Sequence, residues 1–162
     1  MPRSPKGVLS RGVPDWYCKN LYGSQIAQSA VGGQASNCTV FNASNDGTVF
    51  YFYSVAVFVS ASTFVNFKQE NARNYTASGD VAQPIDPRQP KSQSVILAGT
   101  KPVCLGTHVG GIPMLGGQNQ VYAPGWPFLI IPSGFGATIE CANNNVTLQV
   151  AIYWLELKGG GF

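Results

Sequence analysis

Charged side chains and histidine are scarce in this sequence, and both scarcities limit the chemistry it can perform. The 162 residues include only 10 Lys and Arg, 7 Asp and Glu, and 1 His. The single histidine, His108, cannot build a histidine metal cluster, and any Ser-His-Asp set would have to use it. Cys104 is the only nucleophile near it in sequence, and a buried thiol beside a surface histidine explains the pair better than catalysis does.

Other catalytic signatures are missing as well. The sequence has no Gly-Lys dipeptide, which a Walker phosphate-binding loop requires, and "PSGFG" lacks the first glycine of a G-x-S-x-G nucleophile elbow. Among the carboxylates we expect only Glu140 and Glu156 on strands, and we predict no catalytic carboxylate pair. The sequence thus indicates a protein that is not an enzyme and that binds no cofactor.

Membrane, secretion and metal signals are equally sparse. No apolar run approaches the roughly 18 residues of a membrane helix, and "MPRSPK" is not followed by the apolar segment of a secretory signal. The four cysteines, Cys18, Cys38, Cys104 and Cys141, show no C-x-x-C and no zinc spacing. We expect buried thiols, with one disulfide left open, and neither a membrane segment nor a metal site.

Positive charge is concentrated at the N-terminus. The charged residues of positions 1–19 are Arg3, Lys6, Arg11, Asp15 and Lys19, which together account for the whole net charge of +3. Because of its early prolines and its lack of apolar periodicity, segment 1–22 is predicted to be an extended basic arm. It is either a flexible solubilising end or a tether to an acidic neighbour through Arg3, Lys6 and Arg11. Nucleic acid is disfavoured because so few cations make few phosphate contacts.

What the sequence does contain is strand-forming residues punctuated by turns. It has 19 Gly, 11 Pro and 12% aromatic residues, a composition that disfavours helices. The stretch "NDGTVFYFYSVAVFVS" predicts a strand over Thr48–Val59 behind an Asp-Gly turn. Strict alternation places Tyr51 and Tyr53 on one face with four valines, and Phe50 and Phe52 on the other. Both faces are therefore too apolar to be exposed to solvent. We expect these four aromatic residues to pack in the core or between subunits.

Shorter patterns predict the rest of an all-β fold. "TFVNFK" is predicted to be the hairpin partner of the long strand, "SQIAQSAV" a short helix or a weak strand, and 38–42 and 94–99 further strands. "PFLIIP" and "ATIECAN" precede a final strand, "VTLQVAIYWLEL", whose Trp154 shares one face with the apolar residues at 146, 148, 150 and 152. About eight strands without a helix predict an antiparallel β-sandwich, jelly-roll-like, over residues 23–158.

Three segments are predicted to lie outside this regular structure. Segment 68–93 carries seven charges and three prolines, which indicates a long exposed loop. Segment 101–126 is broken by glycine and proline into short pieces, and 159–162 is a Gly-rich tail. Trp126, together with Tyr51 and Tyr53, is a candidate for stacking on sugars, although core or subunit packing is the commoner fate of such residues.

Two stretches resemble small structural proteins of tailed-bacteriophage virions. They are "ASNDGTVFYFYSVAVFVSASTFVNF" and "PFLIIPSGFGATIECANNNVTLQVAIYWLEL". In that family an Asn/Gly turn leads into a long strand, and the chain ends with a "P-x-G-x-G" turn, an "N-N" strand start and a closing "W-x-E". The matching positions here are Pro132, Gly134, Gly136, Asn144, Asn145, Trp154 and Glu156.

The resemblance implies a β-sandwich virion protein, homo-oligomeric and often trimeric, without catalytic residues. We therefore expect a capsid decoration or cement protein that contacts the major capsid protein and is assembled in the host cytoplasm. Arg3, Lys6 and Arg11 would attach it to the capsid. The alternative is a tail, baseplate or fibre component that contacts a host receptor or glycan through the segments 68–93 and 105–125.

Overall fold

The computed structural model describes residues 19–71, 76–101 and 107–159 and shows an all-β fold. Two antiparallel sheets pack against each other, which confirms the predicted β-sandwich. The basic arm with Arg3, Lys6 and Arg11, together with Cys18 and Cys104, lies outside the described residues, as does most of the Gly-rich tail.

The described residues form twelve strands. They are β1 (Leu21–Gln28), β2 (Ala35–Asn42), β3 (Thr48–Val59), β4 (Thr63–Glu70), β5 (Thr76–Ala77), β6 (Gln83–Pro84), β7 (Ser94–Lys101), β8 (Thr107–Met114), β9 (Asn119–Tyr122), β10 (Leu129–Ile131), β11 (Gly136–Cys141) and β12 (Leu148–Lys158). The first sheet has the order β10-β3-β12-β1-β6, with β9 also paired to β3, and the second has the order β5-β7-β2-β11-β4-β8. All of these pairings are antiparallel.

The order of the strands is that of a jelly roll. The first half of the chain pairs with the second half in reverse: β1 with β12, β2 with β11, β3 with β10 and β4 with β8. Consecutive strands of each half alternate between the two sheets, as in a long hairpin wrapped around a core. The eight-residue β7 and the two-residue strands β5 and β6 extend the sheets at the β1 and β2 side.

Strand β3 contains a bulge that corrects the predicted assignment of its faces. Tyr153 pairs with Ser54 and Trp154 pairs with Phe52, so Tyr53 is an extra residue on β3. A bulge shifts the alternation by one position. Phe50 and Phe52 therefore face the core together with the valines at 55, 57 and 59, and the prediction that these two sets lie on opposite faces is wrong.

The predicted hairpin between β3 and β4 is also wrong. Both strands have the predicted positions, but β3 belongs to the first sheet and β4 pairs with β11 and β8 in the second. The turn at 60–62 therefore carries the chain from one sheet to the other. Ser60 holds this turn, because its amide donates to the Thr147 carbonyl and its hydroxyl accepts from the Thr147 amide.

The core lies between the sheets and is centred on an aromatic cluster. Trp154 is fully buried, and its ring centroid lies 6.1 Å from that of Phe50, 5.5 Å from that of Phe52 and 6.5 Å from that of Tyr22. The predicted inner face of β12, from Val146 to Trp154 in steps of two, is buried throughout. Phe50, Phe52 and Trp154 therefore pack in the core.

Three segments are more regular than predicted. The ambiguous "SQIAQSAV" begins within β1, which starts at Leu21, two residues before the predicted domain boundary. Strand β4 continues to Glu70, so the polar segment 68–93 begins inside a strand and adds β5 and β6 to the sheet edges. Within 101–126, the Gly-rich β8 is an eight-residue edge strand with a bulge opposite Phe67–Lys68. In the same segment, β9 pairs with residues 55–58 of β3.

Candidate functional site

A cluster of buried charged and hydroxyl side chains lies on the outer side of the second sheet; we call it the ionic cluster. Its members are Lys68 and Glu70 of β4, Thr138 and Glu140 of β11, and Thr39 of β2. They face away from the core because Val65, Phe67, Ala137 and Ile139, their neighbours along the strands, face into it. Lys68 and Glu140 are 0% exposed and Glu70 is 6% exposed.

Lys68 joins the two carboxylates of the ionic cluster. Its Nζ contacts Oε2 of Glu140 and lies 3.1 Å from Oε1 of Glu70. The hydroxyl of Thr138 donates to Oε2 of Glu70 over 2.8 Å, and the two threonine hydroxyls of Thr39 and Thr138 lie 2.7 Å apart. A hydrogen-bonded path thus runs across β2, β11 and β4 on one face of the sheet.

The second oxygen of Glu140 is the least satisfied atom of the ionic cluster. Glu140 Oε1 is buried and has no hydrogen-bond partner within the described residues. His108 Nε2 lies 4.0 Å away, on a side chain that is 39% exposed. Burial raises the pKa of the Glu140 carboxyl above its usual range, while Lys68 acts in the opposite direction. The protonated form of Glu140 is therefore more accessible than in an exposed glutamate.

The ionic cluster was missed by the sequence analysis. The prediction that 68–93 is exposed is wrong for Lys68 and Glu70, and the expectation that only Glu140 and Glu156 lie on strands is wrong for Glu70. The run "KQE" looks like a solvated loop because Lys and Glu are almost never fully buried unless they are paired. The pairing depends on β4 lying beside β11, and the sequence does not contain that information.

A third buried carboxylate, Glu156, ties segment 90–94 to the sandwich. Its Oε1 accepts hydrogen bonds from Trp154 Nε1 over 3.1 Å and from the Ser92 hydroxyl, and its Oε2 accepts from the Gln93 amide over 3.2 Å. Burial raises the pKa of Glu156, and the hydrogen bonds from Ser92 and Trp154 oppose that shift. The closing "W-x-E" therefore has a structural role, and we call the contacts of Glu156 with Trp154, Ser92 and Gln93 the clasp.

The raised pKa of Glu156 predicts a pH dependence of stability. A carboxyl whose pKa is higher in the folded than in the unfolded chain favours folding at low pH, and that contribution is lost as the pH rises through the folded-state pKa. We expect Glu156→Gln to reduce the change in urea midpoint between pH 4.5 and pH 7.5. At pH 7.5 the variant should also lose about 1–3 kcal/mol, because an NH2 group replaces one of the two acceptor oxygens of Glu156 and leaves a donor such as the Gln93 amide unpaired. An unchanged pH dependence in the variant would contradict this role.

The outer side of the first sheet is uncharged over its described residues; we call it the uncharged face. It comprises Gly23, Gln25 and Ala27 of β1, Gln149, Ala151, Tyr153 and Leu155 of β12, Tyr51, Ala56 and Phe58 of β3, Val121 of β9 and Ile130 of β10. Tyr51 and Tyr53 are half-buried at this side, outside the core that Phe50 and Phe52 enter. Packing of the two tyrosines between subunits stays a prediction.

The part of the uncharged face formed by β9 and the adjoining residues of β3 is open, and we call it the open half. Leu155 is fully buried although it lies outside the core, whereas Val121 is 66% exposed. The open half contains a groove of about 430 Å³, whose lining includes Gln25, Ala56, Phe58, Gln149 and Ala151. Asp80 is the charged residue in the described lining of this groove, and Gln25, Asn119 and Gln149 supply amide side chains.

The two described cysteines are inert core residues. Cys38 and Cys141 are free and buried. Burial raises the pKa of Cys141 to about 12 and that of Cys38 further, so neither thiol supplies a thiolate near neutral pH. Over the part of the chain that the structure describes, no three His, Cys, Asp or Glu side chains are grouped to hold a metal ion. No helix in the same part is long and apolar enough to cross a membrane.

Comparisons with known proteins return no relative. No protein-family model matches the chain, and neither a curated protein nor a solved structure matches it significantly. The resemblance to virion proteins therefore rests on the two sequence stretches alone.

Proposed function

We propose that this chain is an oligomeric structural protein of a bacteriophage virion, a trimeric capsid decoration or cement protein that stabilises the head. The observation that carries the proposal is the uncharged face. A sheet side without charge and with exposed Val121 and Ile130 fits a surface that is buried against another protein. The jelly-roll order of the strands is compatible with this class, since viral capsid domains use it among others.

Four of the residues that carry the family resemblance have structural roles here. Trp154 and Glu156 form the core cluster and the clasp described above. Gly134 has φ +84°, a left-handed conformation that glycine adopts without strain, and it closes the turn before β11. A Cβ on Gly136 would lie 2.9 Å from Thr39 Cγ2, so the two strands approach too closely for a side chain. Motifs of this kind support a structural protein rather than a catalyst.

A charge on the open half of the uncharged face should break the oligomer. We expect Val121→Glu to shift the purified protein from an oligomer to a folded monomer, as measured by sedimentation equilibrium and circular dichroism. The matched control is Val109→Glu, because Val109 is 50% exposed on β8, an edge strand of the other sheet. The control should leave the oligomer intact. A wild-type chain that sediments as a well-behaved monomer would contradict the proposal.

The proposal assigns the basic arm to contact with the major capsid protein. Deleting residues 1–14 should then weaken binding to empty heads while the trimer stays folded. Equal binding by the truncated and the intact protein would contradict that role of Arg3, Lys6 and Arg11.

A second candidate function is a tail or fibre component that contacts a host receptor or glycan. The exposed side chains of Trp126 and Leu115, which are 66% and 62% accessible, favour it. Binding of the isolated protein to glycans or host cells, without any rise in the disruption temperature of heads, would favour that candidate.

A further inference from the structure

The ionic cluster places an amine against a carboxyl group with water excluded from both. Lys68 and Glu140 lie on adjacent strands, where Thr138 pairs with Lys68 and Glu140 pairs with Asn66. The Lys68 Nζ contacts Glu140 Oε2, and a second carboxylate, that of Glu70, lies 3.1 Å from the same nitrogen. Such a triad has the parts of a condensation site: a nucleophile, an electrophile and a proton acceptor.

We propose that Lys68 and Glu140 become joined by an intramolecular amide bond, formed with loss of one water molecule and with Glu70 as the proton acceptor. This is a self-modification of the chain and is independent of the function proposed above. It requires no metal, cofactor or second enzyme, because a carboxylic acid and an amine supply all the atoms of an amide and of water.

The proposed reaction balances within the ionic cluster. Lys68 begins as an ammonium and gives one proton to the Glu70 carboxylate, which leaves a neutral amine. The nitrogen lone pair attacks Cδ of protonated Glu140, and the C–N bond forms. Glu70 returns its proton to the departing hydroxyl oxygen, the C–O bond breaks and water leaves, and the nitrogen then gives its surplus proton to the Glu70 carboxylate. The products are an amide, one water molecule and protonated Glu70.

The surroundings favour each requirement of this reaction. Burial raises the pKa of Glu140 and so favours the protonated acid that the attack needs. Thr138 donates to Glu70 Oε2, which fixes the carboxylate with its Oε1 towards Lys68. The strands hold the reacting groups in contact, and effective molarities of about 10⁵ M or more are reached in well-oriented intramolecular reactions.

The product also resolves an electrostatic problem of the ionic cluster. Lys68, Glu70 and Glu140 together place two carboxylates and one ammonium in a dry site, and buried charges carry a large desolvation penalty. Amide formation removes one positive and one negative charge. The new amide N–H stands where Lys68 Nζ stood, within hydrogen-bonding distance of Glu70 Oε1.

Intact-mass spectrometry of the purified, denatured full-length protein tests the proposal. We expect the wild type to be lighter than its sequence by the mass of one water molecule. Trypsin should fail to cleave after Lys68 and should release the peptide containing it linked to the peptide containing Glu140. A wild-type mass equal to that of the sequence, with cleavage after Lys68, would overturn the proposal.

Two variants separate this bond from other losses of water. Lys68→Arg keeps a cation beside the carboxylates but lacks the nucleophilic amine, so its mass should equal that of its sequence. If Lys68→Arg also lost a water molecule, the loss would lie elsewhere, for instance as a cyclic imide at Asp46-Gly47, and the proposal would fail. Glu70→Gln should fold, as judged by circular dichroism, and stay unlinked, and full linkage in it would remove Glu70 from the reaction.

Discussion

Replacement of Trp154 by alanine is expected to lower the free energy of unfolding by about 3–5 kcal/mol. The indole is fully buried between the two sheets and contacts the rings of Phe50, Phe52 and Tyr22. Its removal leaves a large cavity on the central strand of the first sheet, where the backbone cannot collapse without breaking pairing on both sides. The substitution also removes the indole Nε1–H that donates a hydrogen bond to Glu156 Oε1.

Trp126 supplies the matched control for that experiment. Its side chain is 66% exposed, so Trp126→Ala should change the free energy of unfolding by no more than about 0.5 kcal/mol. Urea titrations followed by far-ultraviolet circular dichroism measure both variants against the wild type. Similar losses in the two variants would show that the aromatic cluster is not the centre of the core.

Replacement of Lys68 by alanine is expected to cost about 3–5 kcal/mol, because Glu140 then keeps a buried carboxyl group that neither an ammonium nor an amide bond neutralises. Glu140 is 0% exposed and Glu70 is 6% exposed, so neither carboxylate reaches water to recover its solvation. One or both carboxyl groups should then be protonated in the folded variant. The free energy of unfolding of the variant therefore depends more strongly on pH than that of the wild type. The loss should be larger at pH 8 than at pH 5.

Lys158→Ala is the control for Lys68→Ala. Its side chain is 81% exposed and its Nζ lies 3.9 Å from Asp46, and such surface ion pairs contribute about 0–1 kcal/mol. A paired variant, Lys68→Met with Glu140→Leu, should recover much of the stability lost in Lys68→Ala, because it removes the fully buried Glu140 carboxyl together with Lys68. Glu70 remains, and Thr138 still donates a hydrogen bond to it. Equal losses in the single and the paired variant would indicate that packing volume, and not stranded charge, sets the cost.

Long apolar strands are the part of this fold that the sequence predicts best. The limits of β3 are predicted at Thr48–Val59, and the buried face of β12 is predicted residue by residue up to Trp154. In β12 polar residues such as Gln149 mark the outer side, so the alternation is readable. In β3 both sides are apolar, so nothing in the pattern reveals that Tyr53 is a bulge and that the alternation shifts there.

Pairing between distant segments is what the sequence does not provide. The β3–β4 hairpin was predicted because the two strands are consecutive and a short turn separates them, which is the commoner arrangement in antiparallel folds. The jelly roll places them in different sheets. The same long-range pairing creates the ionic cluster, since Lys68 and Glu140 are separated by 72 positions and meet only when β4 lies against β11.

The central position of β12 governs when the first sheet can form during synthesis. This strand follows the other described strands in the chain and lies between β1 and β3, so the first sheet stays split until β12 has left the ribosome. Until then β1 and β3 each present an unpaired edge, and in β3 that edge is apolar on both sides. A nascent or truncated chain that lacks β12 therefore exposes strands that are prone to aggregate, and its folding depends on rapid synthesis of β12 or on a chaperone that shields the two edges.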